Sequence, residues 1–171
     1  MLLVAIPLVY VFLLHPLFTS WWWVRDFREN DAALSSYSGR VRIYYGEELD
    51  ELRFEGRLKD GKYEEFGEEY WENGRNKYSG NYSEGQYSGS GILYLEDGTV
   101  LYHGEFADGK YNGSGELTEN GRTFSGEFRN GVLQGSGTIS QDGVVLFTGN
   151  FTDGIPEGAG KENYADGSLH Y

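Results

Sequence analysis

No cysteine occurs anywhere in the 171 residues. Disulfides, thiolate metal ligands and cysteine nucleophiles are thereby excluded. Proline is nearly as scarce at three residues, and beyond the N-terminal stretch only Pro156 can interrupt a strand ladder. The three histidines, His15, His103 and His170, lie far apart. None comes with a nucleophile or a paired carboxylate at a repeated spacing, so an enzymatic role has no constellation to rest on. Positive charge is also short: 14 Lys and Arg stand against 27 Asp and Glu, for a formal charge of −13. That balance argues against nucleic acid as a partner, because neutralising phosphates takes clustered cations. The densest acidic run, Glu64, Glu65, Glu68, Glu69 and Glu72, lacks the ordered oxygen ligands of a calcium loop. It reads as a solvated charged face, and no metal or cofactor is expected.

What the chain has in quantity is glycine, 26 residues, and aromatic rings, 16% of the total. Both recur at a fixed interval. Tyr102-His103-Gly104-Glu105-Phe106-Ala107-Asp108-Gly109 is echoed by segments that start at Phe54, Tyr78, Phe124 and Phe147. A period of 22 to 24 residues marks a repeat array. Glycines keep the register too: all but Gly39 and Gly46 fall within the array, at Gly104, Gly109, Gly113, Gly115 and Gly121 in one unit and at equivalent places in the others.

Each slot has a physical reading. In Tyr-x-Gly-x-Phe the two rings and the glycine share one strand face, while residues such as His103, Glu105, Ser125 and Glu127 face water. The glycine lets the rings close over it. Asp60-Gly61, Glu84-Gly85, Asp108-Gly109, Asn130-Gly131 and Asp153-Gly154 supply tight turns whose two residues take positive φ. Gly-x-Gly then opens a second strand carrying Leu93, Leu117 or Ile139. Each unit is a β-hairpin, and the hairpins pair in sequence.

This pattern resembles the MORN (membrane occupation and recognition nexus) repeat, whose units read Tyr-x-Gly-x-Trp/Phe, two residues, Gly, then Gly-x-Gly. The resemblance covers residues 54–171 as five units, 54–77, 78–101, 102–123, 124–146 and 147–171. Its structural positions are Tyr78, Gly80 and Tyr82; Tyr102, Gly104 and Phe106; Phe124, Gly126 and Phe128; and Phe147, Gly149 and Phe151. The first unit departs, with Leu58 in the second aromatic slot and Glu65 in a glycine slot. The resemblance implies an elongated antiparallel sheet of stacked hairpins, used as a scaffold and often found near membranes.

Residues 1–24 contain no charged side chain. About 24 residues of helix span roughly 36 Å, enough for a bilayer core of about 30 Å. Trp21, Trp22 and Trp23 close the run, where aromatic residues anchor at a membrane interface. The reading is a single transmembrane anchor ahead of an all-β array. Arg25, Arg28, Arg40 and Arg42 follow it and favour a cytoplasmic repeat domain, with an extracytoplasmic one as the alternative. Residues 25–36 read as a linker and 37–53 as a degenerate capping hairpin that shields the sheet edge.

The function expected is a membrane-anchored scaffold that binds a protein partner, itself membrane-associated, as an accessory subunit of a membrane assembly; homo-oligomerisation stays open. The alternative is an extracytoplasmic glycan or cell-wall binder. Against it, Trp71 is the only tryptophan within the array, so a tryptophan cage is missing. Tyr87 and Tyr111 sit just before Gly-x-Gly, where a loop is expected, and are candidate partner-binding residues. The alternative for them is packing on the next hairpin.

Overall fold

The computed structural model describes residues 24–170 apart from 48, 165 and 167. The expected span over residues 1–24, with Trp21, Trp22 and Trp23, lies outside them but for Val24. Among the described residues no helix is long and apolar enough to cross a membrane.

Thirteen strands form one sheet in strict sequence order. The N-terminal part is β1 (Arg25–Arg28), a 3-10 helix (Ala32–Ser36) and β2 (Gly39–Tyr44). Five hairpins follow. They are β3 (Leu52–Lys59) with β4 (Lys62–Tyr70), β5 (Asn76–Ser83) with β6 (Gln86–Tyr94), and β7 (Val100–Ala107) with β8 (Lys110–Glu119). Then come β9 (Arg122–Arg129) with β10 (Val132–Gln141), and β11 (Val144–Thr152) with β12 (Ile155–Asn163), before the two-residue β13 (Leu169–His170). All neighbours are antiparallel except β1 and β2. At about 4.8 Å per strand the sheet is about 58 Å across.

The Asp-Gly and Asn-Gly turns behave as their residues dictate: Asp108 and Gly109 take φ of 50° and 74°, and the other tight turns match. Each turn is then fastened to the preceding hairpin. The Gly109 amide donates to the Tyr87 carbonyl at 3.0 Å, Gly131 to Tyr111 at 2.8 Å and Gly154 to Leu133 at 3.0 Å. The first glycine of Gly-x-Gly forms a bulge with positive φ at Gly89, Gly113, Gly135 and Gly158. Glu65 holds that slot in the first unit and still adopts φ 62°, so the unit departs in sequence but not in backbone.

Glycines pair with glycines from β4 to β11. Gly67, Gly80, Gly91, Gly104, Gly115, Gly126, Gly137 and Gly149 are successive cross-strand partners. Over this smooth line lie the rings. Tyr78 and Tyr102 are fully buried, and Tyr82, Phe106, Phe128 and Phe151 nearly so. In the second, third and fourth units the second ring meets the first ring of the unit before it edge-on: Tyr82 on Phe54 at 5.6 Å, Phe106 on Tyr78 and Phe128 on Tyr102 at 5.4 Å. No unit completes its own core.

The N-terminal stretch corrects two expectations. Residues 25–36 are folded rather than a linker: Phe27 on β1 is buried, and Leu34 of the 3-10 helix packs against the same cluster. Residues 37–53 do not form a hairpin of their own. Tyr37-Ser38-Gly39 is in register with Tyr87-Ser88-Gly89, since the Gly61 amide donates to the Tyr37 carbonyl as Gly109 does to Tyr87. β2 is therefore the second strand of a unit whose first strand is supplied by β1, laid parallel. Phe27 meets Tyr37 edge-on at 5.0 Å and closes the end of the ring stack.

Candidate partner-binding face

The two faces of the sheet differ in chemistry. One carries polar cross-strand neighbours, His103 beside Glu116, Glu116 beside Ser125 and Ser114 beside Glu127, with the exposed Phe66 on the same face. The other carries the rings. Among the described residues no second layer covers the ring face, and Tyr63, Tyr87, Tyr111, Leu93, Leu117 and Phe124 are only partly buried there.

Tyr87 and Tyr111 are not in loops. They lie within β6 and β8, opposite Tyr82 and Phe106. Each stacks on the first ring of its own unit, Tyr87 on Tyr78 at 3.8 Å and Tyr111 on Tyr102 at 3.9 Å. Tyr63 does the same on Phe54 at 3.9 Å. The loop was expected because Gly-x-Gly was taken as the strand start. The strand instead begins before it and absorbs the first glycine as a bulge. These tyrosines hold the fold, and they also contribute the accessible part of the ring face.

Glu69 is the residue that sequence reasoning missed. It belongs to the acidic run assigned to solvent, yet only 7% of it is exposed. It pairs across strands with Phe54 and Tyr78, the slot that Leu93 and Leu117 fill beside Tyr102. Its carboxylate is fully engaged. Lys77 Nζ lies 2.9 Å from Oε1, and the Tyr87 hydroxyl donates to Oε2 at 2.9 Å. The Lys77 ammonium also sits 5.1 Å from the Trp71 ring centre, within cation–π range. Aligning the units shows an acid where the next three have Leu93, Leu117 and Ile139; that was the available signal. Among the described residues no cluster of three or more His, Cys, Asp or Glu could hold a metal.

Burial raises the Tyr78 and Tyr82 phenols well above their ordinary range, and Tyr102 to about 12; Tyr87 is raised by burial and then by the Glu69 charge. A phenol harder to ionise folded than unfolded contributes stability that is intact below the unfolded value of about 10 and lost as pH rises through the folded one. The array is expected to keep its melting temperature up to about pH 9 and to lose it steeply above pH 10. Tyrosinate absorbance should rise together with unfolding, and circular dichroism at stepped pH checks the coincidence.

A one-layer array of hairpins that share a glycine line and an interlocking ring stack defines a β-hairpin repeat protein. The MORN repeat family model matches residues 54–74, 78–100, 102–121, 124–144 and 147–169, more than half of the chain. The protein belongs to the MORN repeat family. No curated protein matches it.

Proposed function

We propose that the protein is an interaction scaffold without catalytic activity, held to a membrane by residues 1–24 and binding a protein partner along the ring face. The observation that supports this is the ring face itself, where Tyr63, Tyr87, Tyr111, Leu93, Leu117 and Phe124 are only partly buried among the described residues. Contiguous apolar surface of this kind is characteristic of association sites. The array does not draw on charge for membrane attachment. Residues 54–171 carry nine basic and twenty acidic side chains, so an anionic leaflet repels them.

The test places a photo-crosslinking phenylalanine analogue at Tyr111 or Phe124 on the ring face, or at Phe66 on the polar face. The full-length chain, in mild detergent, is then illuminated with its co-purifying proteins. Links are expected from Tyr111 and Phe124 and not from Phe66. Links from Phe66 alone would move the binding face to the other side of the sheet.

A further inference from the structure

The chain contains four Asn-Gly steps: Asn73-Gly74, Asn112-Gly113, Asn120-Gly121 and Asn130-Gly131. At such a step the glycine amide nitrogen can attack the side-chain carbonyl carbon of the asparagine, because glycine has no Cβ to block the approach. The new N–C bond closes a succinimide ring. The side-chain nitrogen leaves as ammonia and takes the proton that the glycine amide gives up. Water then opens the ring at either carbonyl, and the product is aspartate or isoaspartate. Water is the only other reactant. What decides the rate in a folded chain is whether the glycine nitrogen is free to turn toward the side chain, which takes local opening of the backbone.

The fold treats the four steps differently. The Gly74 amide donates to the Trp71 carbonyl at 2.9 Å and the Gly131 amide to the Tyr111 carbonyl at 2.8 Å. The Asn73 side chain is tied down as well: its Oδ1 accepts from the Arg75 amide at 3.0 Å, and its Nδ2 donates to the Glu96 carbonyl at 2.9 Å. Gly113 lies inside β8 opposite Phe128, in phase with the turn-closing pair Glu119 and Arg122. In that phase an antiparallel ladder exchanges both backbone bonds. Gly121 alone of the four glycines lies outside a strand and donates its amide to none of the described residues. Glu119, Asn120, Gly121 and Arg122 are all exposed, and a side chain at Gly121 would meet nothing within 4 Å. Asn120 and Asn130 take almost the same φ, 53° and 52°, so the turn conformation does not separate them. The anchoring bond to the preceding unit does.

We infer that Asn120 is a site of spontaneous covalent modification, deamidating through a succinimide to aspartate and isoaspartate at the turn between the third and fourth units. The two products have different consequences. Aspartate fits the turn, since Asp142 holds the equivalent place in the next unit at φ 51°, ahead of Gly143. Isoaspartate runs the main chain through the side-chain carbon and so adds an atom to a two-residue turn. The cross-strand pair of Thr118 and Thr123, with hydroxyls 3.2 Å apart, lies directly behind that turn and is the first to lose its register. This modification does not depend on the protein-partner reading.

The experiment incubates the full-length chain, in mild detergent, in heavy-oxygen water at about pH 8.5, below the range in which tyrosine ionises. Peptide mass spectrometry follows each of the four asparagines, and the heavy oxygen marks conversions that occur during the incubation. A parallel incubation in urea releases all four steps from the fold. In the folded chain Asn120 is expected to convert at least about fivefold faster than Asn73, Asn112 or Asn130, the scale of one net hydrogen bond. Isoaspartate is expected beside aspartate at Asn120, and in urea the four rates are expected to converge. Asn120→Asp is expected to melt with the wild type. The inference is overturned if Asn130 keeps pace with Asn120 in the folded chain, or if none of the four converts there. It is equally overturned if Asn120 keeps the same lead in urea, since local sequence would then set the order. Early melting of Asn120→Asp would overturn the claim that the aspartate product fits the turn.

Discussion

Gly80→Ala is expected to unfold the array far below the wild-type melting temperature. A Cβ at Gly80 would sit 2.5 Å from the Gly91 Cα and 2.8 Å from the Ser90 carbonyl oxygen, both backbone, and 2.6 Å from the Tyr78 hydroxyl. A side chain in the way could turn aside; a paired strand cannot without breaking its ladder. Overpacking of this severity costs about 3 kcal/mol or more. At about 3 °C per kcal/mol for a domain of this size, the melting temperature should fall by about 10 °C. Gly109→Ala is the control. It sits in open space, and its cost comes only from φ 74°, about 1 to 2 kcal/mol. Thermal melts of the two variants separate a glycine needed for close approach from one needed for its turn. Equal losses would show that the glycine line is not what sets strand spacing.

Much of this arrangement was legible in the sequence because a repeat tests each position several times. Five starting aromatics and their turn glycines announced the hairpins, their order and the face on which Tyr82, Phe106, Phe128 and Phe151 are buried. What escaped was whatever occurs once. β1 pairs parallel to β2, and nothing in Arg25-Asp26-Phe27-Arg28 distinguishes a single parallel edge strand from a polar connection. Tyr37-Ser38-Gly39 is ambiguous because Tyr-x-Gly begins both strands of a hairpin; only the turn bond from Gly61 shows which strand it is. Glu69 escaped through its neighbours, since the four other acids of the run made a solvated patch the simplest account. Of those acids, Glu64 and Glu68 are half-buried and Glu65 and Glu72 exposed, and only Glu69 turns under the rings.

Lys77→Ala should be among the most damaging single substitutions of a half-exposed side chain. It leaves Glu69 7% exposed, held by the Tyr87 hydroxyl alone and packed between Phe54 and Tyr78. Removing one partner of a buried pair costs about 3 to 5 kcal/mol, and because Lys77 keeps some access to water the lower figure applies. The units themselves supply the complementary experiment. Glu69 and Lys77 stand where the next unit has Leu93 and Leu101, so Glu69→Leu with Lys77→Leu gives this junction the residues of the next one. Replacing a buried ion pair by apolar side chains is often neutral or stabilising by about 1 to 4 kcal/mol. The double variant is therefore expected to melt at or above wild type, although each half of it alone destabilises. Chemical denaturation of the four proteins in a double-mutant cycle measures this directly. A double variant as unstable as Lys77→Ala would mean that the pair holds the first two units together. A stable double variant means the array keeps the only buried acid among its described residues at a cost to its own stability.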